Sequence, residues 1–98
     1  MADSLPSMKG KVVLITGATR GIGRAGAEAM ATLGAELVLV GRDEKRLQET
    51  QTVCLAKGAS GVRTYRADLS LRKAVADLAH RVTAYEPSLD ILWNNAGG

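Results

Sequence analysis

Leu14 to Ala25, LITGATRGIGRA, is the stretch whose reading decides the fold. It joins an apolar, β-branched run, KVVLIT (Lys11 to Thr16), to a segment of helical length, Ile22 to Leu33, through a turn carrying Gly17, Gly21 and Gly23. A strand, a glycine-rich turn and a helix in that order open a βαβ unit.

The same alternation continues outward from this stretch. AELVLV (Ala35 to Val40), GVRTYR (Gly61 to Arg66) and LDILWN (Leu89 to Asn94) read as three further strands. Helical segments lie between them. The first, Ile22 to Leu33, is expected to turn Ile22, Ala25, Ala29, Met30 and Leu33 inward; Glu44 to Lys57 offers Leu47 and Cys54; Leu71 to Tyr85 offers Val75, Leu78, Ala79 and Val82. Asp43 and Ser70 stand where N-caps belong, and Gly34, Gly58 and Pro87 follow the helical stretches. Strands separated by helices cannot pair as hairpins. The order βαβαβαβ therefore predicts an α/β fold with a parallel sheet, right-handed crossovers and helices on its faces.

Composition bounds what such a fold can do. The chain has 98 residues, 46% hydrophobic and 23% charged, which suits one small globular domain with a marginal core. Residues 1–9 read as a flexible leader and residues 10–98 as the domain. MADSLPSMKG lacks the apolar stretch of a secretory signal, and no run approaches the roughly 20 apolar residues of a membrane span. With Cys54 standing alone as a free thiol, a cytoplasmic location is expected. The net charge is +3, but the basic residues are dispersed and aromatic residues amount to 3%, which argues against nucleic-acid binding.

The glycine turn has a chemical reading. Gly17 can take a tight turn, Gly21 lets the main chain approach a ligand, and Gly23 lets the helix press onto the strand. The exposed N–H groups and partial positive charge of the helix N-terminus suit a pyrophosphate. The bland alternative is a helix entry that only needs small residues. The turn lacks the Gly-Lys-Ser/Thr ending of an NTP-binding loop, which excludes a kinase or ATPase of that type. An Asp or Glu at the end of the second strand would bind a ribose diol and repel a 2′-phosphate, whereas Gly41-Arg42 stands here. Glycine leaves room and arginine supplies a fork of donors for a phosphate, with Arg20 as a second cation, so NADP is favoured over NAD. Solvated surface arginines are the alternative. Asp43 fits an N-cap better than a ribose ligand. Gly41-Arg42 also speaks against a methyltransferase using S-adenosylmethionine, which needs an acid there.

Together these residues resemble a known family. Thr16-Gly17-Ala18-Thr19-Arg20-Gly21-Ile22-Gly23 resembles the TGxxxGIG cofactor motif of the short-chain dehydrogenases/reductases, Asn94-Asn95-Ala96-Gly97 resembles their NNAG motif, and Ala67-Asp68-Leu69 their adenine-contacting position. The resemblance implies a Rossmann-like, doubly wound sheet of strand order 3-2-1-4, truncated after its fourth strand. It implies that Thr19, Arg20 and Ile22 line the pyrophosphate and ribose, and that Arg42 meets the 2′-phosphate. Asp68 would meet the adenine amino group, Leu69 the adenine face and Asn94 the adenosine ribose. Asn95 and Gly97 would lock the strand end, with Asp90 as a structural residue.

Members of this family move a hydride between NAD(P)H and a carbonyl or alcohol, using a Ser, a helix Asn and a Tyr-x-x-x-Lys pair that follow NNAG. Tyr65 is followed four residues later by Leu69 and Tyr85 by Leu89, so neither begins that pair. Both read as surface residues, and His80 as a surface or satisfied histidine. Without a phenol beside a lysine there is no acid to protonate an alkoxide, so this chain alone is expected to be inactive, with no catalytic residue. A fourth strand made for burial would leave an open edge and invite self-association. Two readings remain open: the cofactor-binding N-terminal part of an NADP-dependent oxidoreductase, or a non-catalytic nucleotide-binding or interaction module. A Tyr-x-x-x-Lys reading frame downstream in the gene discriminates them.

Overall fold

A computed structural model describes residues 7–86 and 88–95. Its elements are β1 (Val12–Thr16), α1 (Gly21–Thr32), β2 (Glu36–Gly41), α2 (Glu44–Lys57), β3 (Gly61–Arg66), α3 (Arg72–Tyr85) and β4 (Ile91–Trp93). The sheet order is β3-β2-β1-β4 and every pairing is parallel, as the helix-separated strands require. Pro87, the Ala96-Gly97 half of the last motif and residues 1–6 of the expected leader lie outside the described residues. Met8 has its amide bonded to the Leu33 carbonyl at 2.7 Å and packs against the core.

Alternation along the strands divides the core in two. Val13, Ile15, Leu37, Leu39 and Val62 face α1 and α2, where Ala27, Ala31, Leu47 and Cys54 meet them. Leu14, Val38, Val40 and Tyr65 point the other way, toward Leu78 of α3. Helices on both faces and a chain that reverses direction across the sheet between β1 and β4 place a crevice at the strands' C-terminal ends.

Several local expectations are corrected, Val75 and Ala79 of α3 among them, which are exposed where Leu78 is buried. The inward face of α1 is Gly23, Ala27 and Ala31, with Met30 of the expected set half-buried against the core at its edge, while Ile22 is 71% exposed. A hydrophobic-period reading favours bulky residues, but here the helix lies so close to the sheet that only the small residues, spaced four apart, fit beneath it. The α3 helix has Leu71, not Ser70, at its N-cap, because the Ser70 amide and hydroxyl both turn back to Asp68 Oδ1 at 3.0 and 2.6 Å. The fourth strand is shorter than expected. Its ladder is started from a side chain, with Asp90 Oδ2 accepting from the Val12 amide at 2.8 Å while the Asp90 amide donates to the Val12 carbonyl at 2.9 Å.

Tyr65, expected on the surface, is buried. Its hydroxyl donates to Glu86 Oε2 at 3.0 Å and its ring lies under the Arg81 guanidinium, 5.6 Å from centroid. Glu86, the residue that ends α3, has a side chain only 1% exposed and accepts two bonds of 2.7 Å from Arg63, which also reaches Glu36 at 2.8 Å. The Arg63 bonds, aided by the Tyr65 hydroxyl and the Arg63 charge, hold the Glu86 carboxyl below its ordinary range against the opposing effect of burial. Burial first, then its bond to Glu86, raises the Tyr65 phenol. This clasp ties the C-terminal end of α3 to β3, the outer strand of the sheet.

Asp43 and Cys54 match their sequence readings. Asp43 Oδ1 caps α2 by accepting from the Lys45 and Arg46 amides, and Gly58 closes the same helix at φ +120°. Cys54 is a fully buried free thiol. Burial, then the Glu28 charge, pushes its pKa up to about 11, opposed by Arg24 and Lys57. Native protein is therefore expected to react with an aromatic disulfide reagent at least ~100-fold more slowly than urea-unfolded protein. Equal rates would show that the α1–α2 face is open.

Candidate functional site: a dinucleotide cleft

The site begins where β1 ends. Gly17 and Gly21 both sit at φ +61°, in the left-handed region that glycine occupies without penalty. Gly23 serves a different need: a Cβ there would stand 2.1 Å from the Gly17 carbonyl oxygen and 2.7 Å from Asn95 Nδ2. At Gly21 a Cβ would meet nothing within 4 Å, so that stretch of backbone faces open cleft and is approachable by a ligand. The loop is pinned by the Ala18 amide on the Val40 carbonyl at 3.2 Å. Arg20, in extended backbone, is the N-cap of α1 and makes no side-chain capping bond, and the first turn holds no acid. The N-terminal amides of α1 are thus left facing the cleft, which is the condition for receiving an anion.

Thr19, Arg20, Gly21, Ile22, Arg42, Asp68, Leu69 and Asn94 line one cleft of about 1680 Å³, together with Gly17. Gly23 lies behind the wall and acts through packing. The structure therefore brings together residues that are up to 77 positions apart in the chain, from Gly17 to Asn94. It corrects one role. Gly41 was expected to leave room for a phosphate, but a Cβ there would stand 2.9 Å from Thr19 Cγ2 and 3.3 Å from Leu47 Cδ2, so the missing side chain accommodates the core.

The far wall is built by side-chain locks. Thr16 Oγ1 donates to Asn94 Oδ1 at 3.0 Å and accepts from the Asn95 amide at 2.8 Å, joining the ends of β1 and β4. Asn94 thus shares the locking role expected of Asn95. Asp68 is held by both the hydroxyl and the amide of Ser70. These bonds, with a smaller pull from the Arg42 charge, hold its carboxyl below the ordinary range.

Charge is distributed unevenly around the cleft. Arg24, Arg46, Arg63 and Arg81 are each ion-paired. Among the described residues, Arg20, Arg42, Arg66 and Arg72 form no such pair, and the first three of them line the cleft. Arg46 and Arg66 were not singled out from the sequence. Their nearest signals are Arg46's place in the first turn of α2 and the register that sets Arg66 opposite Gly41. Among the described residues no group of three His, Cys, Asp or Glu is placed to hold a metal, and no helix is long and apolar enough to cross a membrane.

Comparisons with known proteins agree with this geometry. Residues 11–98 match the short chain dehydrogenase family. Estradiol 17-beta-dehydrogenase 11 of Pongo abelii is 42% identical over 91 residues, covering 93% of this chain and 30% of that protein. Among solved structures, the 3-oxoacyl (acyl-carrier-protein) reductase of Agrobacterium tumefaciens with NADP bound is 34% identical, at a TM-score of 0.84 over 100% of this chain and 37% of its own. The L-sorbose reductase of Gluconobacter frateurii, complexed with NADPH and L-sorbose, is 37% identical at a TM-score of 0.84, covering 94% of this chain and 35% of its own. The chain spans about a third of the length of the curated relatives it matches. With the sheet order, the glycine turn and the family match over nearly its whole length in agreement, this chain belongs to the short chain dehydrogenase family.

Proposed function

We propose that the chain binds NADP(H) and forms the cofactor-binding part of an oxidoreductase that moves a hydride between this cofactor and an alcohol or carbonyl compound. The observation that carries the reading is the convergence, on one cleft, of an uncapped helix N-terminus behind a left-handed glycine turn with the guanidinium groups of Arg20 and Arg42, neither of which is taken up in an ion pair among the described residues. The α1 amides would hold the pyrophosphate, and Arg42, aided by Arg20, the 2′-phosphate. Asp68, its carboxylate oriented by Ser70, would accept from the adenine amino group, Leu69 would cover the ring and Asn94 would reach the adenosine ribose. The cofactor would supply the hydride; the residues named here bind and orient it. We assign the acid–base residues of the reaction to the part of such an enzyme that this chain does not cover. A buried reduced Cys54 suits a cytoplasmic protein. The outer edge of β4, with Leu92 66% exposed, offers a surface for pairing with another segment or chain.

Titration with NADPH and NADH tests the reading. Arg42→Ala is expected to weaken NADPH binding by about 10-fold or more, the value of a charge-assisted bond to phosphate, and to leave NADH nearly unchanged. Equal binding of both cofactors, unmoved by the substitution, overturns the NADP assignment.

A further inference from the structure

Arg42 is followed directly by an acid. Asp43 lines the cleft at the end of β2, close to the place where a carboxylate binds a ribose diol and turns away a 2′-phosphate. A site for NADP therefore carries an element suited to NAD. In the structure, Asp43 is turned away from that use. Oδ1 is occupied by the Lys45 and Arg46 amides at 3.0 and 3.2 Å, and Oδ2 lies 3.5 Å from Arg46 Nε. Arg46 thus engages both oxygens, one through its backbone and one through its guanidinium.

We propose that Arg46 sets the preference of the cleft for a 2′-phosphorylated dinucleotide by neutralising Asp43, and so acts as a positioning residue and not as a phosphate ligand. This rests on the NADP reading above. Both side chains are about half exposed, at 52% and 53%, so the pair adds little to stability. Its effect is on charge: with Arg46 in place, Asp43, the residue next to Arg42, is neutralised, while Glu44 in the same first turn keeps its own charge whether or not Arg46 is present. Without it, a carboxylate stands beside the incoming dianion, while a cofactor bearing only a 2′-hydroxyl meets no repulsion and gains an acceptor.

The test is a cycle of Arg46→Gln, Asp43→Asn and the double variant, each titrated with NADPH and NADH at low and high salt. Gln keeps the helix and Asn keeps the cap, so folding is preserved. Arg46→Gln is expected to weaken NADPH by about three- to five-fold, with NADH unchanged or slightly tighter, and the loss should shrink in ~0.5 M salt. In the Asp43→Asn background the same substitution should cost nothing. A loss that persists there would make Arg46 a direct phosphate ligand, and an equal loss on both cofactors would make its role structural. Either result, or no change, overturns the proposal. Failure of the NADP reading is seen separately, as a parent chain that does not prefer NADPH.

Discussion

Gly26→Ala is expected to destabilise the fold by about 2–3 kcal/mol, and adding Trp93→Val is expected to recover most of that loss. A methyl at position 26 would stand 1.6, 2.1 and 2.9 Å from Cζ3, Cη2 and Cε3 of Trp93, so the indole lies where any side chain on that turn of α1 would be. Trp93 packs against the α1–α2 core, and the ring cannot leave without giving up that burial. The disturbance would travel to the cleft, because Trp93 is the last residue of β4 and is followed by Asn94 and Asn95, which lock onto Thr16. Urea unfolding of the parent, both single variants and the double variant gives the coupling. A Gly26→Ala chain as stable as the parent would show that the ring does not sit against α1.

The second large effect lies at the opposite edge of the sheet, on β3. Arg63→Ala should cost about 3 kcal/mol at neutral pH, because it leaves the Glu86 carboxylate, with its side chain 1% exposed, buried without a counter-charge. The half-exposed guanidinium keeps the cost at the lower end of such losses. The pH dependence should invert. In the parent, the Glu86 pKa is held below 4.5, so its contribution is complete above that pH and is lost as the pH falls through the lower folded value. In Arg63→Ala, burial without a partner raises the pKa, and the folded state is favoured as the pH falls toward the unfolded value. Parent and variant stabilities are therefore expected to converge between about pH 7 and pH 4, and Glu86→Gln added to Arg63→Ala should remove most of the deficit at pH 7. Denaturant midpoints across that range test it; a pH-independent difference would mean that Glu86 is not the group left exposed to titration.

Much of the site was legible in the chain itself. Gly17 and Gly23 agree with the tight turn and the close helix–strand approach read for them, by a left-handed dihedral and by contact with the Gly17 carbonyl, while Gly21 also has a left-handed dihedral, a reason the sequence reading does not give it. Asp43 as a cap and Cys54 as core filler follow from local rules, because a cap needs only its own next three residues and a helix face only its own period. The misread positions are those decided by what lies across a gap. Tyr65 looked like surface because nothing nearby in the chain tells that Glu86 comes to meet it. The inward face of α1 went to the bulky residues because close approach to a sheet is invisible in a helix taken alone.

What the sequence by itself determined is the parallel α/β order, the direction of the crossovers and the identity of the glycine turn, since strand and helix periods and turn chemistry are local and steric. Only the tertiary structure decided which arginines face the cleft outside an ion pair, that Gly26 is vacant for Trp93, and that Gly41 makes room for Thr19 and Leu47. Close packing and the placing of the arginines around one cleft depend on distances between residues far apart in the chain, and those distances exist only once the sheet has been assembled.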